Sequence, residues 1–283
     1  IPKDPFDKYD FLYPDLDDTL FAVKIAKRKE FNDAQMSIEV KNIEEEAERM
    51  CNAAFELSPH QQFVKNYLSV NTPYNTLLLY HGLGTGKTCS AIGVTEEMRN
   101  YMKQMGITRR IIIVASPNVQ ENFRAQLFDE RKLKKTNGIW HMEGCSGQNF
   151  LREINPMNMK NMDRDKVIRI VQRTINAYYV FMGYVEFANY IDKVSSVPDD
   201  LPEERAARLK KKKLEKAFLQ RMIVIDEVHN IRMSDDNKQK RVANSLMSLI
   251  DEVPGMKLLL LSATPMFNSY KEIVWLLNLM NKN

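Results

Sequence analysis

A chain of 283 residues with 44% hydrophobic and 28% charged side chains has enough apolar content for one large α/β domain with an attached segment, or for two small domains. It holds no run of about 18 or more apolar residues, which excludes a membrane-spanning helix on length, and its start, Ile1-Pro2-Lys3-Asp4, has neither Met nor an apolar leader, so it reads as part of something longer with nothing pointing to secretion. The net charge of +4 is unevenly placed: residues 1–58 hold 8 Lys/Arg against 14 Asp/Glu, leaving a basic remainder that is compatible with a phosphate backbone as partner.

Residues 1–56 are polar and acidic, with Pro2, Pro5 and Pro14 first and a charged stretch from Lys41 to Glu56 that predicts a helix. A solvated arm or an interaction segment of a larger assembly are the two readings of this part. From Leu57 the character changes. Thr76 to His81 is an apolar run of strand length, stopped by Gly82, Gly84 and Gly86, and Thr88 to Gln104 follows as a helix. Ile111 to Ala115 predicts a second strand, closed by Ser116-Pro117-Asn118 and followed by a helix from about Val119 to Phe128.

The stretch from about 130 to 221 is long for a simple crossover. It contains 19 basic and 12 acidic residues, a strand at Tyr178 to Met182, a helix at Phe187 to Val194, and a basic helix around Lys210 to Lys213. That basic helix is either a nucleic-acid-facing insertion or a solvated face. Met222 to Ile225 and Lys257 to Leu261 are two more strands. These runs are continuously apolar rather than alternating, as strands covered by helices on both faces require. The fold expected is therefore a doubly wound, mostly parallel α/β sheet: an acidic arm over 1–56, then one domain over 57–283 carrying the 130–221 insertion.

Cys51, Cys89 and Cys145 are odd in number and widely spaced. They fit neither a disulfide framework nor a zinc site, and a reducing compartment is the simpler reading. His60, His81, His141 and His229 form no H-E-x-x-H pattern.

Three segments carry chemistry. Gly82-Leu83-Gly84-Thr85-Gly86-Lys87-Thr88, with Cys89 after it, lies between a predicted strand and a predicted helix, the setting a phosphate-binding loop needs. Glycines let successive N–H groups turn inward around an anion, and the helix start adds positive potential. Lys87 reaches the β- and γ-phosphates of ATP and the Thr88 hydroxyl ligates Mg²⁺. His81 stands where the G-x-x-x-x-G-K-S/T pattern has its first glycine. Asp226-Glu227-Val228-His229 directly follows a strand, where carboxylates point into the ligand crevice of an open sheet. Asp226 is placed to hold Mg²⁺ and Glu227 to activate the attacking water. Ser262-Ala263-Thr264-Pro265 follows the next strand, and its two hydroxyls are expected to bond the carboxylates of the 226–229 segment, coupling nucleotide state to nucleic-acid contact.

The order of Gln61, Gly86-Lys87-Thr88, Asp226-Glu227-Val228-His229 and Ser262-Ala263-Thr264 resembles the first RecA-like lobe of superfamily-two helicases. Leu57-Ser58-Pro59-His60-Gln61 looks like the adenine-recognition segment of Swi/Snf-type ATPases, with His60 where that pattern usually has an aromatic. Ser262 to Asn268, with Glu272, Trp275, Leu276, Leu277 and Asn278, is similar to their third motif and its helix. Ile175 to Tyr190 looks like the Swi/Snf-like branch of large nucleocytoplasmic DNA viruses, of the poxvirus nucleoside triphosphate phosphohydrolase and early transcription factor type. This resemblance spans roughly residues 57–283. It implies a nucleic-acid-dependent ATPase with Gln61 reading the base and Ser116, Pro117 and Asn118 contacting a nucleic-acid backbone. It also implies a second RecA-like lobe that supplies an arginine, and partners such as a viral RNA polymerase or transcription factors, in host cytoplasm or virion. Duplex DNA is the favoured track. An RNA helicase, or a non-catalytic docking module, are the alternatives.

Overall fold

A computed structural model describes residues 12–35, 57–82, 84, 86–142, 144–146, 148–154, 162–231, 237–266 and 270–283. Its strands are β1 (Thr76–Tyr80), β2 (Ile111–Val114), β3 (Lys134–Thr136), β4 (Ile139–His141), β5 (Tyr179–Met182), β6 (Met222–Ile225) and β7 (Lys257–Ser262). Five of them form one parallel sheet in the order β1-β7-β6-β2-β5, while β3 and β4 make a separate antiparallel hairpin.

The sheet has a core on each face. The chain first supplies α1 (Phe21–Lys27), α2 (Lys29–Asn32), α3 (Pro59–Tyr67), α4 (Lys87–Gln104), α5 (Pro117–Leu127), α6 (Asn149–Ile154) and α7 (Arg164–Tyr178). Of these, α3 to α7 bury residues with Ile111, Ile113, Val224, Leu259 and Leu261 of the strands. Then come α8 (Tyr184–Ser195), α9 (Glu203–Phe218), α10 (Asn237–Glu252) and α11 (Tyr270–Lys282), which cover Ile112, Val114, Ile223, Ile225, Leu258 and Leu260. Neighbouring strand residues alternate between the two cores, the period-two consequence of a pleated strand. Both faces being apolar is why these strands read as unbroken hydrophobic runs.

The predicted elements appear with shifts of a residue or a few at their ends. The 130–221 stretch contributes β5 to the main sheet, paired with β2 from Ile111–Tyr179 to Val114–Met182. It therefore supplies α7, β5 and α8 as sheet and cover, beside the small hairpin.

Two expectations change. Residues 12–35 are not simply a solvated arm: Ile25 and Phe31 are buried with Tyr74, and Tyr13 and Phe21 pack on them. Tyr74 stacks on Tyr67 at 4.7 Å and donates its hydroxyl to Pro14 O at 2.7 Å. Scattered aromatics in a polar segment gave no periodic signal for this docking. The predicted helix from Lys41 to Glu56 lies outside the described residues.

The cysteine reading is also corrected. Cys89 and Cys145 form a disulfide across 56 residues of sequence, with Cα atoms 5.0 Å apart. Folding brings the first turn of α4 against the segment after β4, a proximity that sequence spacing does not encode.

Arg99 of α4 locks this face. It is 1% exposed, donates to both oxygens of Glu96 at 2.9 and 2.8 Å, and reaches Glu153 of α6 at 2.6 Å. Its guanidinium lies 4.6 Å over the Phe150 ring, and Tyr179 of β5 donates to Glu96 at 2.6 Å. Burial opposes the charge, yet the Glu96 and Glu153 carboxylates hold the guanidinium pKa above its ordinary value. Among the described residues no helix is long and apolar enough to cross a membrane.

Removing one member of a buried ion network strands the others. Arg99→Ala is expected to cost roughly 3–5 kcal/mol, read as a fall in the urea midpoint at unchanged slope. A loss below about 1 kcal/mol would show that water already solvates Glu96.

Candidate functional site

The C-terminal ends of β1, β7 and β6 lie side by side. Tyr80 is opposite Ser262 and Ile225 opposite Leu260, so the segments after all three strands emerge at one edge. In parallel sheets this edge carries the ligand crevice.

After β1, the backbone turns through Gly84 at φ +78° and Gly86 at φ +81°, both in the left-handed region that favours glycine. Gly86 has a second constraint. A Cβ there would stand 2.7 Å from Gln61 Nε2, whereas at Gly84 it would meet nothing within 4 Å. Gln61 is buried at the start of α3, accepting from Ser58 N–H at 3.0 Å and donating to Gly86 O at 3.4 Å. A residue assigned to base reading thus stands against the phosphate-loop glycine. Lys87 Nζ donates to His81 O at 3.3 Å, closing the loop end to end. His81 therefore serves through its carbonyl. Its ring meets His60 edge-on at 5.5 Å, and burial, followed by His60 and Lys87, lowers its pKa. Thr88 is half-buried in the first turn of α4. The Cys89 side chain is committed to Cys145, which leaves its backbone available to the loop. Gly82 is exposed at the loop's start, and Leu83 and Thr85 lie outside the described residues.

After β6, Asp226 is 5% exposed and accepts from Glu227 N–H at 2.8 Å. Burial pushes its carboxyl up to about 6; the Glu227 N–H and Lys87 oppose the rise and the Glu227 charge adds to it. Glu227 itself adopts φ 46° and ψ 53°. A non-glycine residue held there costs of order 1 kcal/mol or more and is characteristic of functional turns. His229 Nδ1 lies 3.3 Å from Glu227 Oε2 and 3.0 Å from Ser262 Oγ, which also accepts from Thr264 N–H at 3.0 Å. The Ser262 hydroxyl meets the His229 imidazole; no bond to Asp226 or Glu227 is among those described. Ala263 is half-buried and Thr264 exposed at the same turn.

After β2, Ser116 begins α5 with Pro117 at its first position, and Pro117 and Asn118 are exposed. Tyr184 lies between this segment and the acidic turn. Its hydroxyl donates to the backbone Asp226 O at 2.9 Å and accepts from Asn230 Nδ2 at 3.4 Å; burial raises its pKa, with Asn230 and the Ser116 backbone opposing the rise. Tyr184 falls in the Ile175 to Tyr190 stretch that carries the viral resemblance, but a Tyr after a strand and a glycine gave no signal of this contact.

Among the described residues no group of three or more His, Cys, Asp or Glu is gathered as a metal cage. Thr88, next to Lys87 in the helix, and Asp226, which feels the Lys87 charge, offer hard oxygen donors, the sparse set that suits Mg²⁺ shared with substrate phosphates. A cation beside Asp226 would also offset the burial of its charge.

The SNF2-related domain model matches residues 60–283. A Frog virus 3 protein named as a helicase is 30% identical over 222 residues, covering 78% of this chain and 20% of its own length. A protein of Acanthamoeba polyphaga mimivirus, named as an ATP-dependent RNA helicase, is 24% identical, covering 83% of this chain and 20% of its own. The early transcription factor large subunit homolog of African swine fever virus is 22% identical, covering 95% and 30%. The chain spans less than a third of the length of these three relatives.

The contact between Gln61 and Gly86 gives a test. Gly84→Ala should cost about 1–2 kcal/mol for the left-handed backbone alone, and Gly86→Ala should cost more because Gln61 must move. In a Gln61→Ala background the excess should vanish. Equal costs at 84 and 86 in a double-mutant cycle by urea unfolding would contradict the close approach.

Proposed function

Because the chain belongs to the SNF2-related domain family, we propose that it is the ATP-binding lobe of a DNA-dependent ATPase that moves along duplex in viral transcription or genome processing. The observation that supports it most is the buried Asp226 followed by the strained Glu227, set beside Lys87 at the edge where β1, β7 and β6 end.

In this reading the loop 82–88 wraps the phosphates of ATP with backbone N–H groups, and Lys87 exchanges its carbonyl partner for the β- and γ-phosphates. Thr88 and Asp226 would hold Mg²⁺, which would supply charge neutralisation for transfer of the terminal phosphoryl group to water. The Glu227 carboxylate orients the attacking water and takes its proton. Gln61 reads the adenine edge. His229 and Ser262 connect Glu227 to the end of β7, and Tyr184, bonded to Asp226 O, feels the Ser116 backbone. A backbone phosphate gripped at Ser116 to Asn118 would shift those bonds, linking track to hydrolysis. A second lobe supplies the arginine that completes the site, and the assembly works with viral polymerase or transcription factors in host cytoplasm or virion.

The mimivirus relative's name keeps an RNA helicase in view. The longer protein that carries this lobe should displace a triplex-forming strand from intact duplex DNA in an ATP-dependent way without separating a tailed duplex. Its affinity for duplex should fall with salt by a slope near −0.9 per phosphate neutralised, with little dependence on base sequence. ATP-dependent unwinding of an RNA duplex without triplex displacement would transfer the assignment to the RNA helicase.

A further inference from the structure

At the opposite edge of the sheet, where β2, β6 and β7 begin, lies a cavity of about 310 Å³. Strands of four to six residues at about 3.3 Å each separate it from the Lys87 and Asp226 edge. Four cations line it: Arg109, Arg110, Arg221 and Lys257. Among the described residues lining it there is no Asp or Glu.

The hydrogen bonds described for these cations go to neutral acceptors only. Lys257 Nζ donates to Ser69 O, Thr72 O and Tyr74 O at 3.0, 3.3 and 2.8 Å. Arg221 donates to Arg110 O at 2.7 Å, and to Tyr190 Oη and Ala217 O at 3.2 Å each. Arg109 donates to Leu219 O. Arg221 and Lys257 are both buried. Buried charge is normally paired, and among the described residues the more deeply buried Arg99 is held by two carboxylates. Burial pushes Lys257 down to about 8. Burial also lowers Arg221, opposed by its bond to Tyr190 and joined by the weaker influence of Arg110 and Arg109. Gln220, beside Arg221, adopts φ 57°, a strained backbone that sets the turn presenting the guanidinium.

Apolar side chains also line the cavity: Met98, Tyr101, Met102 and Ile107 of α4 and the turn after it. Three guanidinium forks suit oxyanions. Their summed charge favours a dianion over a monoanion, and a phosphate monoester carries about −1.5 to −2 at neutral pH.

We propose that this cavity binds a small organic phosphate, with the phosphate between Arg109, Arg110 and Arg221 and an apolar or aromatic body against Met98, Tyr101 and Ile107. The site is separate from the ATP loop, and the proposal stands or falls independently of the assignment made there.

Phenyl phosphate is the probe, titrated calorimetrically into residues 1–283, with benzoate and inorganic phosphate in parallel. Phenyl phosphate should bind saturably and more tightly than either. Arg110 is exposed and no side-chain partner is described for it, so Arg110→Glu is suited to preserve the fold, checked by circular dichroism. It should weaken binding roughly tenfold or more, the scale of a lost charge-assisted contact. Tyr101→Ser, which removes half-buried aromatic surface from the lining, should weaken phenyl phosphate while sparing inorganic phosphate. The same affinity should persist in a Lys87→Ala background. No saturable binding, benzoate binding as well as phenyl phosphate, or binding lost with Lys87→Ala but kept with Arg110→Glu would each overturn the proposal.

Discussion

Leu258 and Leu260 of β7 face one core while Leu259 and Leu261 face the other, and β7 lies between β1 and β6. A slip of one residue would turn every side chain of the strand to the wrong face. Because both faces are covered, that slip would exchange the partners of both cores at once, so register is strongly specified. The chemistry at the sheet's edge depends on this constraint. It sets the ends of three strands at one edge and brings segments distant in sequence together: Gly86 to Thr88, the acidic turn at 226–229 and the hydroxyl turn at 262–264.

At that edge polar groups are held under tension. Asp226 is buried with its charge disfavoured and Glu227 adopts a left-handed backbone. Both depart from local preference, and both sit at the edge where β1, β6 and β7 end. The supporting groups are stiff: the Arg99 network anchors the helix that starts with Lys87, and Ser262 and Tyr184 fix the acidic turn from two sides. The Cys89–Cys145 bridge ties the first turn of the same helix to the segment after β4. Rigidity around a strained centre is what holds reacting groups in place.

Much of this was legible in the sequence. The sheet strands were visible because a doubly covered strand has no polar face to interrupt it, and the loop was visible because Gly84, Gly86, Lys87 and Thr88 have fixed spacing. What escaped detection depends on proximity created by the fold. The Cys89 and Cys145 thiols are 56 residues apart. Tyr13, Phe21 and Phe31 look like isolated aromatics in a polar segment until Tyr74 and Tyr67 receive them. The hydroxyls of the 262–264 segment were expected against carboxylates, but the side chain Ser262 meets is His229. Arg109, Arg110, Arg221 and Lys257 sit in three separate stretches, each reading as ordinary surface charge. Short polar contacts of this kind have no period, so no pattern in one chain announces them.

The central claim is that Lys87 binds phosphate while Glu227 acts on water, and one titration separates these roles. Mg·ATP binding to residues 1–283 should be weakened tenfold or more by Lys87→Ala, the scale of a lost charge-assisted contact. Glu227→Gln, which keeps the shape of the side chain, should leave the affinity near that of the unaltered chain. Equal weakening by both substitutions, or an affinity that Lys87→Ala does not change, would contradict the account.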